Sequence, residues 1–302
     1  MKKVKKICNR YVEKIFFKYY CNKLLVGERK TSVTDNEKYP VVCYMASRHE
    51  HFFKGFRQNE VYNQVLEHVT QSQGQEYLAV ISKNDQVKFT DVEWDNFCNN
   101  DLYGNPKIYP YKINGRNLMV SPTTLRYAKV LQDIVSLYDV RNIQSVAEIG
   151  IGYAGQCRLL TSYLPGVENY FLFDLPEVLG LAKKYLGKFG ESVIGRAKFV
   201  DGTKIDIERN YDLVISNYAF SELIRDVQDI YLEKVILKAK AGYITWNTLS
   251  CDRLDGYSLE ELLKIIPGSS IIKEEPLTKA NNCIIVWGNS SRINHENGDI
   301  HG

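Results

Sequence analysis

The sequence predicts an α/β protein: a doubly wound, mostly parallel sheet with an antiparallel last strand, preceded by a mainly helical N-terminal region. Three observations carry that expectation. The stretch Ser145-Val-Ala-Glu148-Ile-Gly150-Ile-Gly152-Tyr-Ala-Gly155-Gln156 joins a buried strand to a helix through a glycine-rich turn. Strand-like and helix-like segments alternate through residues 121–267, as a parallel sheet with crossover helices requires. The chain then closes with two strand-like runs and a return too short for a crossover helix, so the last strand must run antiparallel.

The elements follow in chain order. Residues 1–25 read as a basic amphipathic helix, with Val4, Ile7, Tyr11, Ile15 and Tyr19 on an apolar stripe and Lys2, Lys6, Arg10, Lys14 and Lys18 on other faces. Residues 26–45 are irregular and read as a linker or loop. A helix is expected over 52–69, with Phe53, Phe56, Val61, Val65, Leu66 and Val69 as its apolar positions. The Gln71–Gln75 stretch ends it, residues 77–81 are a short apolar run of open type, and residues 89–111 suit a loop-rich cap. Residues 26–120 together are thus expected to form a helical and loop-rich substrate cap.

Ser121 as N-cap and Pro122 at the first helical position open a helix over 125–138. Strands are expected at 145–149, 170–173, 197–200, 211–216 and 243–248, with helices at 156–164, 176–189 and 227–239 between them. Ser258 and Glu261 make a capping box that opens a helix ended by Pro267-Gly268. Residues 271–274 and 283–287 are the two closing strands. The cofactor domain is expected over 121–290 and a disordered tail over 291–302.

Composition narrows the function classes. No apolar run approaches the roughly 20 residues that cross a bilayer. Seven cysteines are scattered without a Cys-x-x-Cys, which points to reduced thiols in a cytoplasmic setting. Residues 1–30 carry ten Lys and Arg against Glu13 and Glu28, a local balance of +8 that leaves −5 for the rest of a chain whose net charge is +3. The mildly acidic body argues against a generic nucleic-acid face. The leader has two readings: a helix packed on the body or a partner, or an in-plane helix of residues 2–20 on an anionic membrane at its cytoplasmic face.

The glycine-rich turn lets the backbone bend tightly and approach a ligand, and the helix behind it points its positive N-terminus the same way. Gly150-x-Gly152-x-x-Gly155, with Asp174 about 20 residues on, also fits the dinucleotide fingerprint. Nicotinamide, flavin and S-adenosylmethionine (SAM) are therefore all open on this motif alone. The reversed last strand favours the class I methyltransferase arrangement over a dinucleotide domain.

Three pieces sharpen the reading: Glu148-Ile-Gly-Ile-Gly-Tyr-Ala-Gly-Gln156, Phe173-Asp174-Leu175-Pro-Glu-Val178 and Ser216-Asn-Tyr-Ala-Phe-Ser-Glu-Leu223. Over roughly residues 45–288, with Phe56-Arg57 and Ser121–Tyr127, the chain resembles the sugar O-methyltransferase family of bacterial glycan gene sets, class I SAM-dependent enzymes. The resemblance implies SAM as cofactor and, as acceptor, a sugar hydroxyl of a surface glycan or its lipid- or nucleotide-linked precursor.

Each site residue then has an expected task. Gly150, Gly152 and Gln156 belong to the turn under the methionine part of SAM, and Glu148 takes its ammonium, or else pairs with a neighbouring base. Asp174, followed by Leu175, accepts from ribose hydroxyls or caps the helix beginning at Pro176. Asp201-Gly202 sits where the fold holds adenine, or is an ordinary turn, and Asn217 ends the fourth strand of the fold beside the sulfonium. On the acceptor side stand Tyr218, Ser221 and Glu222, with Arg126, Tyr127 and Asn247 added by resemblance. Glu222 is the expected general base, with His49 as the alternative. His49-Glu50-His51 lacks a completing acid–His cluster, so no metal is assigned. The rivals are a methyltransferase for a non-sugar small molecule and a non-catalytic SAM-fold subunit of a glycan assembly complex.

Overall fold

The computed structural model describes residues 18–20, 38–248 and 254–288. Apart from 18–20, the expected leader helix lies outside the described residues, as does the 291–302 tail. A hairpin of β1 (Tyr109–Ile113) and β2 (Arg116–Val120) precedes a seven-stranded sheet. Its strands are β3 (Ser145–Ile149), β4 (Asn169–Asp174), β5 (Ala197–Asp201), β6 (Tyr211–Asn217), β7 (Ala239–Trp246), β8 (Ser270–Lys273) and β9 (Cys283–Trp287). They lie in the order β5-β4-β3-β6-β7-β9-β8. The first five pair in parallel, and β9 runs antiparallel to both β7 and β8.

Burial explains why these segments are strands. Every residue of β3 and β9 is buried, as expected where a strand is covered on both faces. Alternate residues feed two apolar clusters: Val146, Tyr170 and Leu172 into one, Ala147, Phe171 and Phe173 into the other. The first cluster continues without a break into Tyr39, Phe53, Phe56, Trp94 and Phe97, so the N-terminal helices share a core with one face of the sheet. The order 3-2-1-4-5-7-6, counted within the sheet, is that of the class I methyltransferase fold expected from the reversed ending.

Several N-terminal expectations are corrected. Lys38–Arg48 is a helix, where a loop was expected through 45. Its Val41-Val42-Cys43-Tyr-Met45-Ala46 run is buried on most sides and so shows no polar stripe. The helix expected over 52–69 is three pieces, Glu50–Phe53, a 3₁₀ turn at Phe56–Gln58 and Glu60–Val65. Asn59 restarts it by accepting from the Val61 and Tyr62 amides. Gln71–Lys83 is a further helix opened by a Thr70/Gln73 capping box, and Thr90/Glu93 opens Asp91–Cys98 within the expected loop. The expected helix over 227–239 runs Arg225–Lys234 and tightens into a 3₁₀ turn at Ile236–Lys238.

A buried polar hub fixes these helices to the sheet side. Arg57 is fully enclosed; its Nε donates to Glu67 at 2.6 Å, its Nη1 to Asp101 at 2.9 Å and its Nη2 to Ser121 at 3.0 Å. Its guanidinium lies 4.6 Å from the centre of the Tyr153 ring, in the glycine-rich turn. Asp101 also accepts from the Ser121 amide and the Thr124 hydroxyl, at the start of helix Pro122–Leu137. Two carboxylates and a hydroxyl satisfy the cation, which makes its burial tolerable.

Candidate active site

A cavity of about 560 Å³ opens where β3, β4, β6 and β7 end, between the sheet and the N-terminal helices. Ligand crevices in open α/β sheets lie at the carboxyl ends of the strands, and strand order reverses here beside β3. One end of the cavity is built by the glycine-rich turn. Gly150 and Gly152 both take positive φ, 76° and 54°. A Cβ on Gly150 would run into the Ala219 methyl, and one on Gly152 into Leu66, so only glycine passes between these walls.

Two carboxyls face this turn. Glu148, 2% exposed, accepts from the Tyr170 hydroxyl at 2.7 Å. Burial pushes it up to about 8, against the lowering effect of Tyr170, with the nearby Asp174 adding to the rise. No base pairs with it, which removes that alternative among the described residues. Asp174 accepts from the Ile151 amide and the Leu175 amide, each at 2.8 Å. Burial raises it to about 7 despite those bonds. Helix Pro176–Gly187 has no side-chain cap, so capping is not the task of Asp174. Gly202, Thr203 and Leu175 continue this wall, together with Tyr39 from the corrected helix.

The other end gathers Tyr77, Arg126, Tyr218, Glu222, Asn247 and Lys279. Tyr218 sits at φ 68° and donates to Glu274, with Thr278 at 3.2 Å from its hydroxyl. Glu222 accepts from the Asn247 side-chain amide at 3.3 Å, and burial raises it above the usual carboxylate range, with Asn247 and Lys279 opposing. Tyr127, near both ends, is pushed up to about 12 by burial. The Asn217, Asn247 and Asn282 side-chain oxygens and the Arg126 Nε are buried with no partner among the described residues. Each such unmade bond costs about 1–3 kcal/mol.

Twelve expected site residues therefore line one cavity, and four do not. Gln156 is fully buried and donates to the Tyr127 carbonyl at 3.3 Å, behind the wall. Ser221 donates to the Tyr218 carbonyl and accepts from the Asn247 backbone amide at 3.0 Å, so it shapes the end of the cavity around Tyr218 without facing it. Asp201 folds back onto the Thr203 amide and hydroxyl, leaving Gly202 and Thr203 to face the cavity. His49 meets the Tyr20 hydroxyl at 3.2 Å and the rings of Tyr20 and Phe52. It follows the end of helix Lys38–Arg48, which at 1.5 Å per residue puts it about 15 Å from the lining Tyr39, and it does not line the cavity, so the alternative base is withdrawn. Glu50, beside it, pairs with Lys184 and Lys188.

The lining residues that sequence reasoning missed are chiefly His68, Tyr77, Thr278, Lys279 and Asn282. His68 is pushed down to about 4 by burial and by the cations Arg126 and Lys279. The reversed last strand held a usable signal: it returns residues 274–282 to the carboxyl edge, where the crevice is.

The strand order and this cavity define a class I methyltransferase fold with its crevice in the usual place. No protein-family model matches the chain, and no curated protein does. Among solved structures, it is similar to "PigF with SAH" at 18% identity and a TM-score of 0.41, over 52% of this chain and 54% of that one. The pyocyanin biosynthetic protein PhzM is similar at 14% identity and a TM-score of 0.41, over 56% and 57%. The mitomycin 7-O-methyltransferase MmcR is similar at 13% identity and a TM-score of 0.40, over 76% and 70%. The first two likenesses span just over half of either chain. All three are distant, and the fold stands on the strand order itself.

Proposed function

We propose that the protein is a SAM-dependent O-methyltransferase, and that its acceptor is a sugar hydroxyl of a surface glycan or its precursor. The observation that carries the cofactor reading is one wall holding Glu148, Gly150, Gly152 and Asp174 together at the ends of β3 and β4. Asp174 retains lone pairs toward the cavity for ribose hydroxyls, and Glu148 offers a carboxyl to an ammonium. The glycines keep the wall thin, Gly202 and Thr203 flank the adenine end, and Asn217 presents an unpaired oxygen. When bound, SAM supplies a methyl group on a positively charged sulfur.

The remaining work falls to the chain's own residues. Positioning the acceptor oxygen in line supplies much of the rate. Glu222 takes the proton that the acceptor hydroxyl loses; a carboxylate raised by burial is a better base than an exposed one. Asn247 orients it, and Ser221 holds the Asn247 backbone. Tyr218 and Tyr77 shape the acceptor wall.

Calorimetry with S-adenosylhomocysteine tests the cofactor; absence of binding would favour the non-catalytic subunit. Mass spectrometry of the host glycan with and without the gene tests the acceptor, through loss of one methylene mass per site. An unchanged glycan with a SAM-binding protein would favour a non-sugar small molecule. The leader, by its charge, is proposed to hold the enzyme at the cytoplasmic face of an anionic membrane; among the described residues no helix is long and apolar enough to cross one.

A further inference from the structure

Arg126 is a buried cation with no counter-charge in contact. It is 8% exposed, and among the described residues it makes no ion pair. Its Nη2 reaches only the Leu66 carbonyl, at a long 3.4 Å, and its Nε has no partner. Glu67 lies in its field but is taken by Arg57 and Thr123. Its other charged-state neighbours are the phenols Tyr77, Tyr127 and Tyr218. An unpaired guanidinium out of water is costly, and such groups in native proteins are matched by a carboxylate or phosphate.

A second cation meets the same space. Lys279, on the return between β8 and β9, lines the cavity, and both cations act on His68. Of the acids nearby, Glu274 is occupied by Tyr218 and Thr278, and Glu222 by Asn247. We propose that the acceptor carries an oxyanion, a carboxylate or phosphate, held between Arg126 and Lys279 while its hydroxyl faces Glu222. A planar guanidinium fork and an ammonium lining one cavity suit such a group. The proposal rests on the methyltransferase reading and narrows its acceptor to an acid-bearing hydroxyl compound. SAM also has a carboxylate, and Leu66, whose carbonyl Arg126 reaches, abuts Gly152 of the glycine-rich turn, so the test includes S-adenosylhomocysteine to tell the two anions apart.

His68 is a built-in reporter for the test. The full-length protein is titrated with benzoate, and separately with inorganic phosphate, following the His68 ring protons by NMR, with and without saturating S-adenosylhomocysteine. A saturable His68 shift in both conditions is expected, weakened at least about tenfold in Arg126→Gln and in Lys279→Gln, the scale of one charged hydrogen bond. Lys279 is exposed, so its variant reads the site even where Arg126→Gln folds poorly. No saturable shift with either anion, or a shift that survives both substitutions, overturns the proposal. A shift that S-adenosylhomocysteine abolishes assigns Arg126 to the cofactor's carboxylate and also overturns it. Calorimetry on the same samples separates the two readings: anion binding without S-adenosylhomocysteine binding keeps the anion site and removes methyl transfer.

Discussion

Replacing Glu148 by glutamine should flatten the pH dependence of stability in the cofactor-free protein. The Glu148 carboxyl ordinarily titrates at 4.5; burial, with Asp174 adding, raises it to about 8 in the folded protein. A folded-state value above the unfolded one means that the folded form holds its proton more tightly. The associated stability is therefore fully present below pH 4.5 and lost as pH rises toward 8. The loss is about 1.4 kcal/mol per pH unit inside that window, so about 3 kcal/mol between pH 5 and pH 7. Asp174, raised from 3.8 to about 7, adds a loss of the same sign over much of the same range. Glutamine keeps an oxygen for the Tyr170 hydroxyl but has no proton to lose. Urea unfolding at pH 5, 6 and 7 without SAM should thus show the variant losing about half as much stability as the wild type. Equal slopes in the two proteins would refute the buried-acid account of Glu148.

Four further outcomes are expected. Asp174→Ala should weaken S-adenosylhomocysteine binding by about 1.5–3 kcal/mol, the scale for hydrogen bonds to a charged group, with an unchanged circular dichroism spectrum; calorimetry giving wild-type affinity would remove the ribose assignment. Gly150→Ala combines a positive φ with a collision against Ala219 and should abolish cofactor binding or folding, whereas Gly115→Ala, with open space around it, should cost only about 1 kcal/mol for its backbone conformation. Glu222→Gln should lose about 10²–10⁴-fold in turnover at nearly constant cofactor affinity, and a variant as fast as wild type with the true acceptor would take Glu222 out of the mechanism. Deleting residues 1–25 should release the protein from anionic vesicles, and salt should weaken the full-length attachment; full-length protein that ignores such vesicles at low salt would end the membrane proposal.

The sheet was legible because its signals are local. Ser121-Pro122, the Gly150/Gly152 turn and the Ser258/Glu261 box each fix their own backbone, and the short return between β8 and β9 dictates an antiparallel ending. The N-terminal region was less legible where burial removes periodicity. The Lys38–Arg48 helix hides most of its sides and so reads like nothing in particular. Thr70/Gln73 and Thr90/Glu93 were readable boxes masked by the polar residues around them. In the site, Glu148, Gly150 and Gly152 were findable because a motif places them together in one glycine-rich turn, and Asp174 because that motif asks for an acid about 20 residues further on. His68, Tyr77 and Lys279 reach the cavity from separate elements, through tertiary packing that no local spacing records. Asp201 and Ser221 were misjudged for a different reason: position near a strand end does not decide which way a short polar side chain turns.

The Arg57 hub bears on how molecules enter and leave. It ties the turn at Phe56–Gln58 to Glu67, Asp101 and Ser121, with Tyr153 of the glycine-rich turn stacked against it. Swinging the N-terminal helices outward as a lid would carry Arg57, Glu67 and Asp101 together but strip them of the Ser121, Thr123 and Thr124 hydroxyls, at roughly 1.5 kcal/mol or more for each hydrogen bond to a charged group. Such an opened form would hold about one molecule in a hundred or fewer. The wall over the crevice is thus held in place, and passage falls to smaller movements at its rim, where Lys279 is exposed. A wall pinned in this way makes its rim, rather than a swinging lid, the place where a substitution would change how fast molecules enter and leave.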